Sequence, residues 1–100
     1  MARERHRMLA LVLVNVEPGT TARVVASLQS RDWAAGALGL WGEYDVAAII
    51  VAHDEEELQT AVMHDIQEQI DGVERTTTLI VLPRTWWVDQ ERLAEAKPRQ

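Results

Sequence analysis

The sequence predicts an α+β domain with the element order β-α-β-β-α-β, the split βαβ arrangement of ferredoxin-like folds. Two segments with one apolar stripe each are expected to be helices, and they are interleaved with four strand-like apolar runs. A Gly-Glu-Tyr-Asp corner at 42–45 separates the middle two runs, which is typical of a β-hairpin. The length of 100 residues fits one domain with one core.

The first half of the chain provides three of the strands. Residues 8–16 form a near-continuous apolar run that ends before Pro18-Gly19, and this pattern favours a strand buried on both faces. Helical spacing then predicts a helix over about 21–31. The second strand is expected at about 35–41, weakened by its glycines, and the third at 46–52.

The second helix has the clearest signals in the sequence. Asp54 precedes it with Glu57 three residues later, which is a capping-box pattern. Asp71-Gly72 ends it, and a fourth strand follows over 73–82 until Pro83, whose ring nitrogen cannot donate to a sheet. The predicted apolar stripe recurs at every fourth residue: Leu58, Val62, Ile66 and Ile70.

The predicted organisation is a basic N-terminal tail over 1–7, the folded domain over 8–82 and a C-terminal tail over 83–100 with a short helix near 88–96. The basic start followed by apolar residues resembles a signal peptide, but Asn15 interrupts the run and no cleavage site follows. The apolar run is also shorter than the roughly 20 residues of a membrane span. We therefore expect a cytoplasmic protein with no membrane partner.

The sheet is predicted to have one face that the chain itself cannot cover. Right-handed crossovers place both helices on the same face of one antiparallel sheet, yet the strands at 8–16, 46–52 and 79–82 are apolar at consecutive positions. Burial of the second face against a second copy is the economical solution, which predicts a homodimer with sheet-to-sheet packing, a dimeric α+β barrel. The alternative is a monomer whose C-terminal tail covers that face.

Composition excludes several functions. Cysteine is absent, which removes disulfides, thiolate nucleophiles and cysteine metal sites. The net charge of -6 argues against direct nucleic-acid binding, which needs clustered basic residues. We find no nucleophile with a histidine partner, no phosphate loop and no paired carboxylates, so we expect no catalytic residues, no cofactor and no enzyme activity.

Some polar and aromatic residues have alternative interpretations. Two histidines and three acidic residues have the composition of metal ligands without the spacing of a known site: His53, Asp54, Glu55, His64 and Asp65. An N-cap with an acidic first turn explains residues 54–57. A surface ion pair of His64 with Glu68 is the simpler role for that histidine. Trp86-Trp87 could stack on an aromatic ligand, although packing against the domain or a neighbouring subunit is the more common use.

A small polar pocket is the remaining candidate site. Thr76 and Thr78 share one face of the fourth strand and need polar partners if that face is buried. Together with a bare backbone at Gly42, the neighbouring Tyr44 and a carboxylate at Asp45, they would suit the amino and carboxylate groups of a small zwitterion.

Three segments of the sequence resemble a known family. They are L-V-L-V-N-V-E-P-G-T at 11–20, W-G-E-Y-D at 41–45 and V-E-R-T-T-T-L-I-V-L at 73–82. In this order they closely resemble the effector-binding domain of the Lrp/AsnC transcriptional regulators, also called the regulation-of-amino-acid-metabolism domain.

The resemblance implies sheet-to-sheet dimers, further assembly into a ring of dimers, and an amino acid effector bound at the junction between dimers. It maps the ligand site onto Gly42, Tyr44, Asp45, Thr76 and Thr78. Only seven residues precede the first strand, so no helix-turn-helix domain is expected, and the chain would modulate full-length regulators by mixed assembly. The alternative is a cofactor-free monooxygenase of the dimeric α+β barrel type, which requires a large cavity between sheet and helices.

Overall fold

The computed structural model describes residues 7–99 and contains the predicted order of strands and helices. The predicted basic tail, apart from Arg7, lies outside these residues. The fourth strand is predicted over 73–82, and in the structure it ends two residues earlier, at Ile80. The elements are β1 (Met8–Val16), α1 (Thr21–Gln29), β2 (Ala34–Gly39), β3 (Val46–Ala52), α2 (Glu55–Gln59), a π-helix (Thr60–Ile66), β4 (Val73–Ile80) and α3 (Gln90–Glu95).

The strands form one antiparallel sheet in the order β2-β3-β1-β4. Strand β1 pairs with β3 on one side and with β4 on the other. Neither neighbour follows β1 directly in the chain, because α1 leads from β1 to β2 and the second helical segment leads from β3 to β4. This arrangement confirms the ferredoxin-like fold expected from the sequence. Within residues 7–99, no helix is both long and apolar enough to span a bilayer.

The core lies between the sheet and the helices. Side chains alternate between the two faces of a strand, and in β1 Ala10, Val12 and Val14 are the almost completely buried set. They pack with residues of both helical segments, including the fully buried Leu28 of α1 and Ile66 of the π-helix. These side chains fill space between the sheet and the helices, where a barrel-type monooxygenase would need a large cavity.

The opposite face of the sheet, here called the open face, is mostly apolar, and its side chains are half-buried or exposed. Registered neighbours place its residues side by side: Leu9, Leu11 and Leu13 of β1, Leu38 of β2, Ile49 and Val51 of β3, and Thr77 and Leu79 of β4. Leu79 is 47% exposed and Leu38 is 53% exposed. An apolar face of this extent is what the sequence predicted and is unusual on a monomer.

The second helical segment differs from the predicted continuous α-helix. Asp54 caps α2, its Oδ1 accepting the Glu57 N–H at 2.8 Å, and Glu57 Oε1 in turn accepts the His53 N–H at 3.0 Å. Beyond Gln59 the helix widens, and the Gln67 N–H bonds to the Val62 carbonyl, five residues back. The predicted apolar stripe is nevertheless buried along its whole length, at Leu58, Val62, Ile66 and Ile70.

Gly72 ends this segment in a conformation that requires glycine. Its φ is +98°, and a Cβ added there would lie 2.9 Å from Thr20 Oγ1. Thr20 is itself fixed because its hydroxyl donates to the Glu17 carbonyl at 2.7 Å rather than capping α1. Gly72 therefore connects the start of β4 to the loop that precedes α1.

We predict that Gly72→Ala lowers the free energy of unfolding by about 1–3 kcal/mol, because the left-handed backbone is strained and the new methyl group meets Thr20. Urea denaturation measures this change. Gly42→Ala is the matched control, because a Cβ there meets no atom within 4 Å. Equal stability of the two variants would contradict the predicted strain at Gly72.

Candidate functional site

The hairpin corner is fixed at one end of the sheet by Asp45. Its backbone N–H donates to the Val14 carbonyl at 2.9 Å, and its own carbonyl accepts the Leu40 N–H at 2.8 Å. Its carboxylate Oδ2 accepts the Val16 N–H at 2.9 Å, next to the register shift that interrupts the pairing of β1 with β4 between Asn15 and Val16. Asp45 therefore stabilises the fold of this corner in addition to any part in binding.

Asn15 makes a second connection from β1 to the corner. Its Nδ2 donates to the Glu43 carbonyl at 3.0 Å. Sequence reasoning did not include Asn15 in the site, although it is the one polar residue within the apolar run of β1 and this position was the available signal. Together Asn15 and Asp45 determine the course of 42–45, where Gly42 is open to solvent and Tyr44 is half-buried.

Thr76 and Thr78 lie on the helix-covered face of the edge strand β4. Thr76 pairs with Val14 and Thr78 with Val12, both buried on that face. Gln67 Nε2 donates to Thr76 Oγ1 at 2.6 Å, so the end of the π-helix holds this hydroxyl. Gln67 was also missed, because no periodic or motif signal separates it from the other polar residues of the helix.

The structure brings the two halves of the predicted site to the same end of the sheet without joining them. Val14 pairs with Val46, the residue after Asp45, on one side and with Thr76 on the other. Two strand spacings separate those backbones by roughly 9–10 Å. Within one subunit, the corner and the β4 threonines therefore lie on opposite sides of β1.

The electrostatic shifts lie outside this site. Hydrogen bonds from the backbone N–H of His53 and then from its imidazole hold the pKa of Glu57 below its usual range. The stabilisation from the ionised Glu57 carboxylate is therefore present at neutral pH and is lost as pH falls through that lowered pKa. The Asp65 carboxylate, 2.9 Å from His64 Nδ1, raises the pKa of His64. The stabilisation from the protonated His64 imidazole beside Asp65 is present in acid and is lost as pH rises through the raised pKa.

The prediction that Glu68 is the main partner of His64 is thus wrong, because the imidazole is paired with the adjacent Asp65 instead. Glu68 adds only a weaker charge effect in the same direction. In the described part of the chain, no group of three or more His, Asp and Glu side chains is arranged to hold a metal ion.

Comparison with family models gives a match to the Lrp/AsnC ligand binding domain over residues 9–87. The chain belongs to the Lrp/AsnC ligand-binding domain family. The match spans the four strands, both crossovers and the first residues of the C-terminal tail, and the members of this family are ligand-binding domains of regulators. A comparison with curated proteins finds no significant match.

Solved structures share the fold. TTHA0845 from Thermus thermophilus is 27% identical with a TM-score of 0.71, and the alignment covers 81% of this chain and 99% of that one. Escherichia coli AsnC is 23% identical with a TM-score of 0.73, over 82% of this chain and 55% of AsnC. This Lrp/AsnC domain thus spans about half of that regulator.

A third structure is a transcriptional regulator from Neisseria meningitidis, NMB0573, solved as a complex with L-Met. It is 19% identical with a TM-score of 0.70, over 86% of this chain and 58% of the regulator. At this identity the likeness concerns the fold.

Proposed function

We propose that this chain is an amino-acid-binding domain that assembles through its open face into dimers and then into a ring of dimers. The observation that carries the proposal is the separation of the corner from the β4 threonines by one strand at the same end of the sheet. Because β1 lies between the two halves, we expect a neighbouring subunit to complete the pocket. Membership of a family of ligand-binding regulator domains supports this interpretation.

Each half offers a different chemistry in this proposal. Asp45 provides a carboxylate for the ligand's amino group, while Gly42 leaves backbone accessible and Tyr44 provides a half-buried ring beside it. The Thr76 and Thr78 hydroxyls bind the ligand's carboxylate, since each hydroxyl can donate one hydrogen bond. The methionine complex of NMB0573 supports an amino acid as the ligand class.

The proposal describes binding and assembly rather than catalysis. The fully buried Leu28, Ile50 and Ile66 fill the space between helices and sheet in which a barrel-type enzyme would hold its substrate. We infer a cytoplasmic location, in accordance with the absence of cysteine from the sequence.

We further propose that the domain modulates full-length regulators by mixed assembly. The alignment with TTHA0845 covers 99% of that chain, which supports a functional unit of this size. The net charge of -6 is unfavourable for direct contact with nucleic acid. Failure of this protein to co-purify with any co-expressed full-length relative would refute mixed assembly while leaving ligand binding intact.

A thermal-shift screen against the twenty amino acids tests the binding proposal. A ligand at a hundred times its dissociation constant should stabilise the protein by about 2.7 kcal/mol. Gly42→Ala and Thr78→Val should each abolish most of that shift while leaving the unliganded melting temperature close to that of the wild type. Met63→Ala, an exposed position on the π-helix, is the control that should keep the full shift.

The outcomes separate the site from the ligand class. A shift retained in both site variants would exclude the corner and the β4 threonines from binding. No shift with any amino acid would refute the ligand class.

A further inference from the structure

The C-terminal segment Trp86–Glu95, here called the arm, leaves the sheet through a constrained turn. Arg84 has φ +62°, a left-handed conformation that residues with a Cβ adopt at a cost. Both the N–H and the hydroxyl of Thr85 donate to the Leu82 carbonyl, at 3.3 and 2.7 Å. The turn therefore gives the chain a defined direction after β4.

This turn places Trp86 over one end of the open face. Trp86 lines a groove of about 760 Å³, the end groove, together with Leu9, Val81 and the arginines Arg7 and Arg84. It also lines an adjoining cavity of about 310 Å³ that reaches Ala35 and Val51. Leu9 and Val51 belong to the open face, so the end groove is continuous with the surface proposed to form the dimer.

The rest of the arm is ordered but presents its apolar side chains to solvent. Asp89 caps α3, its Oδ1 accepting the Arg92 N–H at 3.0 Å. The Arg92 guanidinium lies 5.4 Å from the centroid of the Trp87 ring. Even so, Trp87 is 68% exposed and Leu93 is 73% exposed.

Charge distinguishes the arm from the groove. The end groove contains two arginines, Arg7 and Arg84. The arm contains three carboxylates, Asp89, Glu91 and Glu95, and one arginine, Arg92, so its net charge is negative. The two surfaces are complementary in sign as well as in apolar character, which favours contact between an arm and an end groove.

We propose that the arms are exchanged between the two subunits of the sheet-to-sheet dimer, so that Trp87 of each subunit fills the end groove of its partner. This inference rests on the dimer of the proposed function. In a two-fold symmetric dimer the contact between an arm and an end groove occurs twice, because both subunits use the same surfaces. Exchange buries Trp87 against the open face and brings the acidic arm to the arginines of the groove.

Sedimentation equilibrium tests the energetic part of the proposal. Trp87→Ala should raise the dimer dissociation constant about 30-fold, the loss expected when a buried aromatic anchor is truncated. Trp41→Ala is the matched control, because Trp41 is fully exposed at the opposite end of the sheet, and it should leave the dissociation constant unchanged. Equal dissociation constants for Trp87→Ala and the wild type would overturn the exchange and leave the dimer standing.

Cross-linking tests the geometry, aided by the absence of native cysteine. Differently tagged copies of Arg84→Cys and Val88→Cys are mixed, allowed to exchange and treated with a short bismaleimide. A covalent product containing both tags is expected, whereas Arg84→Cys mixed with Met63→Cys should give none. Absence of the mixed product in dimeric protein would overturn exchange alone, and a wild type that is monomeric throughout would overturn both the dimer and the exchange.

Discussion

Replacing Leu11 with glutamate should convert the proposed dimer into a monomer, raising the dimer dissociation constant at least a thousandfold. Leu11 lies at the centre of the open face, between Ile49 on β3 and Leu79 on β4. Burial of an unpaired carboxylate in an apolar interface costs several kcal/mol, and two-fold symmetry introduces two of them. Since each 1.4 kcal/mol changes an equilibrium constant tenfold, the effect should be unmistakable by sedimentation.

The control for Leu11→Glu places the same charge on the helical layer. Met63 is 58% exposed on the π-helix, so Met63→Glu should remain dimeric. Circular dichroism should show that both variants keep the fold. A Leu11→Glu variant that is still dimeric at micromolar concentration would show that the open face is not the interface.

Truncation of Ile66 to alanine should lower the free energy of unfolding by about 2–5 kcal/mol. Ile66 is fully buried where the π-helix packs on the sheet, and removal of its side chain loses both transfer free energy and packing contacts. A loss of this size is a large fraction of the stability of a small domain. Urea denaturation monitored by far-UV circular dichroism measures it.

Met63→Ala is the matched control, because Met63 belongs to the same π-helix but points to solvent. It should change the free energy of unfolding by no more than about 0.5 kcal/mol. A loss below about 1 kcal/mol for Ile66→Ala would mean that the π-helix is not part of the cooperative core.

The fold could be predicted because its signals are local. Continuous apolar runs, a corner rich in turn residues and the Asp54–Glu57 cap define the element order, and the handedness of crossovers then determines the topology. The π-helix could not be predicted, since a stripe at four-residue spacing fits an α-helix of about 3.6 residues per turn almost as well as a wider one. Its existence depends on packing rather than on residue types.

The candidate site was less predictable because its organisation is non-local. The bonds of Asp45 to Val16 and of Asn15 to Glu43 join residues 29 and 28 positions apart. No pattern within either segment indicates such a partner. The position of β1 between the corner and Thr76 likewise follows only from the strand order.

Equilibrium binding of an amino acid to wild type and to Leu11→Glu is the most direct test that the ligand site is completed by assembly. We predict that an amino acid which shifts the wild-type melting curve binds the assembled protein and not the Leu11→Glu monomer. By linkage, that ligand should also strengthen assembly of the wild type. Binding of the same amino acid to the folded monomer with unchanged affinity would contradict a shared site.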